Sequence, residues 1–441
     1  MDLVERFRRH LATLPIPAGP ALVAVSGGSD SVALLDLLLR TTESHRCDLV
    51  VVHFDHGIQA ESALVAARVR ELADTRGIPF EGGRGDLGPG ASETAARYAR
   101  YAFLEAVRER SGGGSIFLAH HADDQAETIL MRVLAGSGSA GLAGMDGVSG
   151  RLVRPLLPFS RSELAQYVRA RSMLVWEDPS NSDVRHLRAW LRTSVLPMLR
   201  DRVPDVETRL LTVAGQSRRN RMAWDSVLDV VPDLDVKRET DGISVAANRF
   251  RGYDSTLAEA LILAVARRFG CPLGPVRAAR LLGWLGGAAS GSQLQLSKGW
   301  RAELSFGRLR LGRIPSPDAP RPMLSIGGRS GEGSWGPWRV KWSRGGAPGR
   351  QERVALTAWF SADSLTVRGW EPGEKVRPLA GIGRRLIVKC FQDARVPRSR
   401  RERWPVVAGG DEVVWIPGVC RSDALVPPTG SEALRVDAEL A

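Results

Sequence analysis

ALVAVSGGSDSVALLDLLLR, residues 21 to 40, runs from an apolar stretch through a glycine- and serine-rich turn into a leucine-rich helical stretch. A strand that enters a helix across such a turn is half of a βαβ unit, and the turn lies where the helix begins. In Ser26-Gly27-Gly28-Ser29-Asp30-Ser31 the two glycines let the backbone turn tightly and approach an anion. Ser29, Ser31 and the free N–H groups of the following helix donate to phosphate oxygens, and Asp30 is placed to hold a magnesium ion. A helix N-terminus contributes only about 1 kcal/mol, whereas micromolar binding needs about 8, so a metal and an adenine pocket must supply much of the remainder. No GxxxxGK[ST] occurs, which excludes a Walker-type loop. The plain alternative is a surface turn capped by Ser or Asp.

On either side of this turn, ALVAV, VALLDLLLR, DLVVVHF, LVAARVRELADTRG, SIFLAH and QAETILMRVL alternate to about Arg171, the pattern of a parallel sheet covered by helices. Sites are then expected at strand ends. With 441 residues the chain exceeds one hydrophobic core. The expected division is 1–203 for a catalytic nucleotide-binding domain, 204–314 for a helical linker and middle domain, 315–350 for a Gly/Pro-rich linker, and 351–441 for a basic C-terminal domain. An apolar fraction of 43% and a charged fraction of 25% are those of an ordinary globular protein. No apolar run approaches the roughly 18 residues of a membrane span, and the start MDLVERFRRHLATL has no signal-peptide core, so the expected compartment is the cytoplasm. Cysteines at 47, 271, 390 and 420 form no CxxC pair, which argues against a zinc ribbon, a cluster or a redox dithiol. The net charge of +12 points towards a polyanionic partner.

SGGSDS resembles the SGGxDS loop of the PP-loop pyrophosphatase superfamily, whose members bind ATP and form adenylates with release of pyrophosphate. His53-Phe54-Asp55-His56-Gly57 is similar to the HxxHG element of its tRNA(Ile)-lysidine synthetase branch, and the reading adopted for His53, His56, Gly57 and His121 is an ATP-side role. A capped strand end or a metal pair is the alternative, although i, i+3 spacing gives no complete metal site. Glu93 to Tyr101 is similar to that family's ExxAR…RYxFL helix. Its Arg97 and Arg100 share a face suited either to tRNA phosphate or to an acidic patch within the protein.

LAHHADDQAETILMRVLAGSGSAGLAGM, from Leu118, matches the family's AHHxDDQxET…GSGxxGLxGM almost throughout. His120 and His121 end a strand; Asp123, Asp124 and Glu127 open the next helix, where acids also simply complement the helix dipole. Carboxylates serve both an attacking ammonium and a magnesium ion. Gly-rich GSGSAGLAG is either a close-approach surface or a flexible connector. Arg154-Pro155-Leu156-Leu157 resembles the family's RPLL, and Trp176 to Asn181 with Arg188, Arg192 and Pro197 resembles its WxxDxSN…RNxxRxxxLP pattern, with Ala189 in place of the usual Asn.

Between Arg368 and Trp404 eleven Arg and Lys stand against four acids, a surplus of seven. This segment resembles the family's C-terminal domain, with Gly373-Glu374 for Gly-Asp and Arg384-Arg385 for lysines. Arg384, Arg385, Lys389, Arg398, Arg400 and Arg401 are its candidate tRNA contacts, with Trp370 and Trp404 for occasional stacking. A solvated basic face is the alternative.

The resemblance implies an α/β fold: an adenine nucleotide alpha hydrolase-like, Rossmann-like PP-loop domain, then a helical domain and a small α/β C-terminal domain. It implies adenylation by ATP of the C2 oxygen of the wobble cytidine of an isoleucine tRNA, then attack by the amine of L-lysine with loss of AMP. Implied roles are magnesium at Asp30 and Asp124, lysine or metal at Asp123, Asp124 and Glu127, and tRNA or departing charge at Arg188 and Arg192. Competing readings are a PP-loop tRNA thiolation enzyme and a non-catalytic RNA-binding protein. Whether the chain acts as a homodimer is left open.

Overall fold

The computed structural model describes residues 2–17, 19–57, 62–85, 88, 93–176, 187–239, 241–297, 299–314 and 323–440. The chain divides into two compact units, Met1–Ala223 and Trp224–Ala441.

In the first unit the chain runs α1 (Leu3–Leu11), β1 (Ala21–Ala24), α2 (Ser29–Leu39), α3 (Thr42–His45), β2 (Leu49–Asp55), α4 (Ser62–Asp74), β3 (Phe80–Arg84), α5 (Glu93–Arg110), β4 (Ser115–Phe117), α6 (Ala122–Leu134), β5 (Val148–Ser149), β6 (Leu152–Val153) and α7 (Arg161–Ala170). The sheet order is β3-β2-β1-β4-β6-β5. All neighbours pair in parallel except the short β5–β6 hairpin. Because parallel strands are covered on both faces, β1 and β2 are nearly continuous apolar runs, and Leu22, Val23 and Val51 are fully buried. The chain winds outward from β1 to β3 and then returns beside β1 as β4. That reversal opens a crevice at the carboxyl ends of β1 and β4, the place where doubly wound sheets take ligands. After α7 come α8 (Leu187–Trp190), a π-helical turn (Leu191–Val195), α9 (Leu196–Arg202) and α10 (Val206–Val230).

In the second unit, β7 (Lys237–Glu239), β8 (Gly242–Ala246), α11 (Ser255–Arg268), α12 (Pro275–Gly287), β9 (Gln293–Ser297), β10 (Trp300–Ser305) and β11 (Arg308–Arg313) share one core. The helices expected here are present. Beside them stands a five-stranded antiparallel sheet, β7-β8-β11-β10-β9, which the helical reading did not include. Its strands are short, and in β11 (RLRLGR) arginines alternate with buried leucines.

The Gly/Pro-rich stretch at 315–350, expected as a linker or loops, is corrected over its described part. Residues 324–346 form β12 (Leu324–Gly327), β13 (Ser330–Trp335) and β14 (Trp338–Gly346), and Trp335, Trp338 and Val340 are core residues. The glycines lie in the strands because side chains pack over them: a Cβ on Gly331 or Gly333 would collide with Trp342 or Leu324. The unit continues with β15 (Thr357–Phe360), β16 (Ser364–Gly369), β17 (Lys375–Val376), β18 (Arg385–Leu386), α13 (Ile387–Asp393), α14 (Arg398–Arg401), β19 (Pro405–Gly409), β20 (Glu412–Ile416), β21 (Cys420–Arg421) and β22 (Glu432–Leu440). Arg421, 1% exposed, donates to the carbonyls of Val414, Ser422, Ala424, Trp359 and Leu425 and so ties these strands together.

Candidate active site

The turn after β1 is held by its own hydroxyls. Ser31 Oγ accepts the Ser26 N–H at 3.2 Å and donates to the Gly28 carbonyl at 2.9 Å. Gly27 has φ +90°, and a Cβ there would lie 2.9 Å from Val65 Cγ1. Its carbonyl accepts the Trp176 N–H at 2.9 Å. Gly28 precedes α2 without a side-chain cap, which leaves the first turn of an eleven-residue helix facing the crevice.

His53 lies behind this loop, 5% exposed, with Nδ1 2.8 Å from the Val25 carbonyl. Burial pushes its pKa down, so it is a neutral brace for the strand end. Gly57 turns the chain at φ +68°, its N–H bonded to Asp55 Oδ1 at 2.7 Å.

In the extended segment between β4 and α6 the two histidines diverge, His121 being the residue that caps α6. His121 Nε2 stands 3.5 Å from Asp30 Oδ2 and 3.5 Å from Asp124 Oδ2, and its Nδ1 stands 3.6 Å from Asp123 Oδ2. Burial disfavours its charge, but the close carboxylates of Asp123, Asp30 and Asp124 outweigh burial and raise its pKa to about 10. Burial would likewise raise Asp123, yet His121 and the Arg161 N–H, 2.8 Å away, hold it at about 2. His120 meets the opposite fate: burial pushes its pKa down to about 3, so it is neutral, and its Nδ1 is buried without a hydrogen-bond partner. His121 therefore joins the phosphate loop to the acidic helix as a cation.

Glu127, 1% exposed, and Asp124, 8% exposed, are gripped by two arginines. Arg188 Nε lies 2.7 Å from Glu127 and its Nη2 2.9 Å from Asp124; Arg192 Nε lies 2.6 Å from Glu127 and its Nη2 3.2 Å from Asp124. The two arginines are four residues apart across the start of the π-helical turn, a feature that recurs at functional sites. Ala189 leaves both contacts in place; its carbonyl accepts the Thr193 hydroxyl. Glu177 to Asn181 lie outside the described residues.

Two cavities border this cluster. One of about 300 Å³ is lined by His56, Arg97, Arg100, His120, Asp124, Arg188 and Arg192. The other, of about 810 Å³, includes Asp123, Glu127, Arg161, Glu163, Arg192 and Arg200. His56 thus keeps company with Arg97 and Arg100. Both of those guanidiniums lie over the Tyr101 ring, at 5.0 and 5.6 Å. Burial lowers the pKa of Arg100, and the charges near it are chiefly those of Arg97 and Arg188. That environment attracts an anion. His120 belongs to this cavity, whereas the sequence reading gave a site role only to its neighbour His121; the paired histidines of the AHHADDQ run were the available signal.

The GSGSAGLAG segment is pinned. Gln125 exchanges two hydrogen bonds with Met145, and Arg132 donates to the Gly144 carbonyl at 2.8 Å.

Among the described residues no group of three His, Cys, Asp or Glu is arranged to hold a metal ion. Magnesium that arrives with a nucleotide takes one or two protein carboxylates and phosphate oxygens for the rest. Asp30, partly exposed and beside the Ser29 hydroxyl, fits that part. Asp124 does not in this arrangement: Oδ1 is taken by both arginines and Oδ2 by the His121 N–H at 3.0 Å. A metal at Asp124 would have to displace those donors.

In the second unit the basic segment is less free than its charge count indicated. Arg400 is bound to Glu239 at 2.9 Å and Asp241 at 3.5 Å, and Arg385 to Asp393 at 2.7 Å. Arg384, exposed, lies 3.4 Å from Glu412; Lys389 and Arg398 are exposed. Trp370 and Trp404 pack around Phe391 and donate to the carbonyls of Arg401 and Pro417, so they are core rather than stacking platforms.

A parallel sheet with an SGGSDS turn at its reversal point defines an ATP-binding PP-loop protein, and residues 3–199 match the PP-loop domain family. Residues 365–438 match the TilS substrate C-terminal domain. A tRNA(Ile)-lysidine synthase of Geobacter sulfurreducens is 32% identical over 95% of this chain and 93% of that protein. One of Alkalilimnicola ehrlichii is 34% identical over 93% and 92%, and one of Symbiobacterium thermophilum 30% over 99% and 98%. The chain belongs to the tRNA(Ile)-lysidine synthase family.

Proposed function

We propose that this chain joins L-lysine to C2 of the wobble cytidine of an isoleucine tRNA at the expense of ATP. The observation that carries the proposal is the His121 bridge, which sets Asp30 of the phosphate loop against Asp123 and Asp124 of the acidic helix. The C2 oxygen of cytidine attacks the α-phosphorus of ATP and pyrophosphate leaves. The ε-amine of lysine then attacks C2, the C–O bond breaks, AMP departs, and the nitrogen loses its proton. Magnesium, when bound, neutralises phosphate charge, with Asp30 as its protein ligand.

The chain's own groups supply the rest. The N–H groups of the first turn of α2 hold phosphate oxygens, and His121, cationic up to about pH 10, balances the charge that develops as pyrophosphate leaves. Asp124 and Glu127 are the acceptors for the lysine ammonium. They are filled here by Arg188 and Arg192, so an incoming ammonium exchanges with guanidinium rather than entering an empty acidic hole. The cationic cavity of Arg97, Arg100 and the neutral His120 suits the nucleotide to be modified. Exposed Arg384, Lys389 and Arg398 suit tRNA phosphates.

The thiolation reading needs a sulfur carrier at the site. Cys47 is the one cysteine of the first unit; it is buried beside β2 at the edge opposite the phosphate loop, and burial raises its pKa. No helix among the described residues is long and apolar enough to cross a membrane, and we place the reaction in the cytoplasm with its tRNA. The test mixes protein, ATP, radiolabelled lysine and total tRNA. Label should enter tRNA only when all four are present; thiolated product, or tRNA binding without AMP release, would overturn the proposal.

A further inference from the structure

Glu303 on β10 is 1% exposed, and both carboxylate oxygens are committed to the opening of α14. Oε1 accepts the Arg398 N–H at 2.9 Å and Oε2 the Ser399 N–H at 3.2 Å. Those are the first two amides of a four-residue helix that follows Pro397 and carries Arg398, Arg400 and Arg401. The same turn is gripped further along: Arg400 reaches Glu239 and Asp241, and Arg310 of β11 shares Glu239. Arg401 is steadied by its own Nε on the Val396 carbonyl at 3.0 Å and by its carbonyl on Trp370 Nε1 at 2.8 Å. Glu303 thus fixes the backbone of this turn, and Glu239 and Asp241 hold the side chain of its Arg400, while the exposed charge is Arg398, with Arg401 partly exposed.

We propose that Glu303 is a positioning residue for RNA binding: a buried acid that strengthens the grip on a polyanion by holding Arg398 and Arg401 in place. The inference rests on the tRNA-binding reading of the preceding subsection. It runs against charge counting. An acid within a basic strip subtracts from the field that attracts phosphate, so neutralising it should tighten binding. A carboxylate whose oxygens are spent on backbone N–H groups has a different part, because charge-assisted bonds in a buried setting set geometry, and one misplaced arginine forfeits its phosphate contact.

The test compares Glu303→Gln with Glu412→Gln. The second removes an exposed acid 3.4 Å from Arg384 and should tighten tRNA binding or leave it unchanged. The first, though it too removes a negative charge, should raise KM for tRNA about tenfold, the worth of one charge-assisted contact, while kcat at saturating tRNA stays within about twofold. Because Glu303→Gln removes a buried acceptor and can unfold the turn outright, Asp241→Asn, which loosens only the outer hold on Arg400, serves as the milder variant and should shift KM in the same direction. In an Arg398→Ala, Arg401→Ala background Glu303→Gln should cost nothing further. Tighter or equal binding by Glu303→Gln, or a loss that adds in full to that background, would overturn the inference. A wild-type chain that binds no tRNA would overturn the proposed function itself, and this inference with it.

Discussion

Replacing Glu127 by Gln tests the charge balance at the centre of the site. The carboxylate is 1% exposed and receives Arg188 Nε at 2.7 Å, Arg192 Nε at 2.6 Å and Arg192 Nη2 at 3.1 Å. Gln has nearly the same shape but no charge, so two guanidiniums, 23% and 27% exposed, would be left with Asp124 alone. Removing one member of a buried ion pair costs about 3 to 5 kcal/mol; the partial exposure of the arginines puts the expected loss near the lower figure, about 3 kcal/mol. For a unit of 223 residues that corresponds to a fall in Tm of about 6 to 12 °C. Adding Arg192→Gln removes one of the stranded cations, and the double variant should regain about 1 to 2 kcal/mol over Glu127→Gln alone while remaining inactive. The assay is urea unfolding of the four proteins of the cycle, with lysine incorporation measured in parallel. A single variant within about 1 kcal/mol of wild type, or a double variant whose loss is the sum of the two singles, would refute the account of Glu127 as the carboxylate that balances both arginines.

Gly27→Ala places a methyl 2.9 Å from Val65 Cγ1 at φ +90°, and should abolish ATP-dependent pyrophosphate release while leaving tRNA affinity unchanged. His121 has a pKa of about 10 in the folded chain against an ordinary 6.5, so its contribution to stability is complete below pH 6.5 and is lost as the pH rises through 10. The urea midpoint should fall over that interval in wild type and stay flatter in His121→Gln. Arg188→Gln frees one side of Asp124 and Glu127, and equilibrium dialysis should find tighter lysine binding by the ATP-free variant than by wild type; weaker binding would mean that Arg188 holds lysine instead of competing with it. In salt titrations of tRNA binding, Lys389→Ala should reduce the slope by about 0.7 to 0.9, whereas Arg400→Ala should lower the thermal stability of the second unit.

The β1 turn, the alternation of the first 170 residues and the AHHADDQAET run were legible because each depends on neighbours in sequence. Apolar periodicity marks strands and helices, glycine marks the turn, and acids at a helix start mark a cluster. From these the sheet, the phosphate loop and the acidic helix follow. Tertiary structure decided how they are used. It put β4 beside β1, so that His121 spans Asp30 and Asp124, and it left adjacent histidines one charged and one neutral, by turning His121 towards carboxylates and burying His120 among arginines. It brought Arg188 and Arg192 onto Asp124 and Glu127 across about sixty residues, and Arg400 onto Glu239 across 161. It also made strands of the glycine-rich stretch that resembled a linker, because its tryptophans find packing partners distant in the chain, as Trp338 does in Trp404. Residue type and spacing determine what a segment forms by itself; the charge state and availability of a side chain are set by what the fold places around it, and those neighbours are distant in the chain.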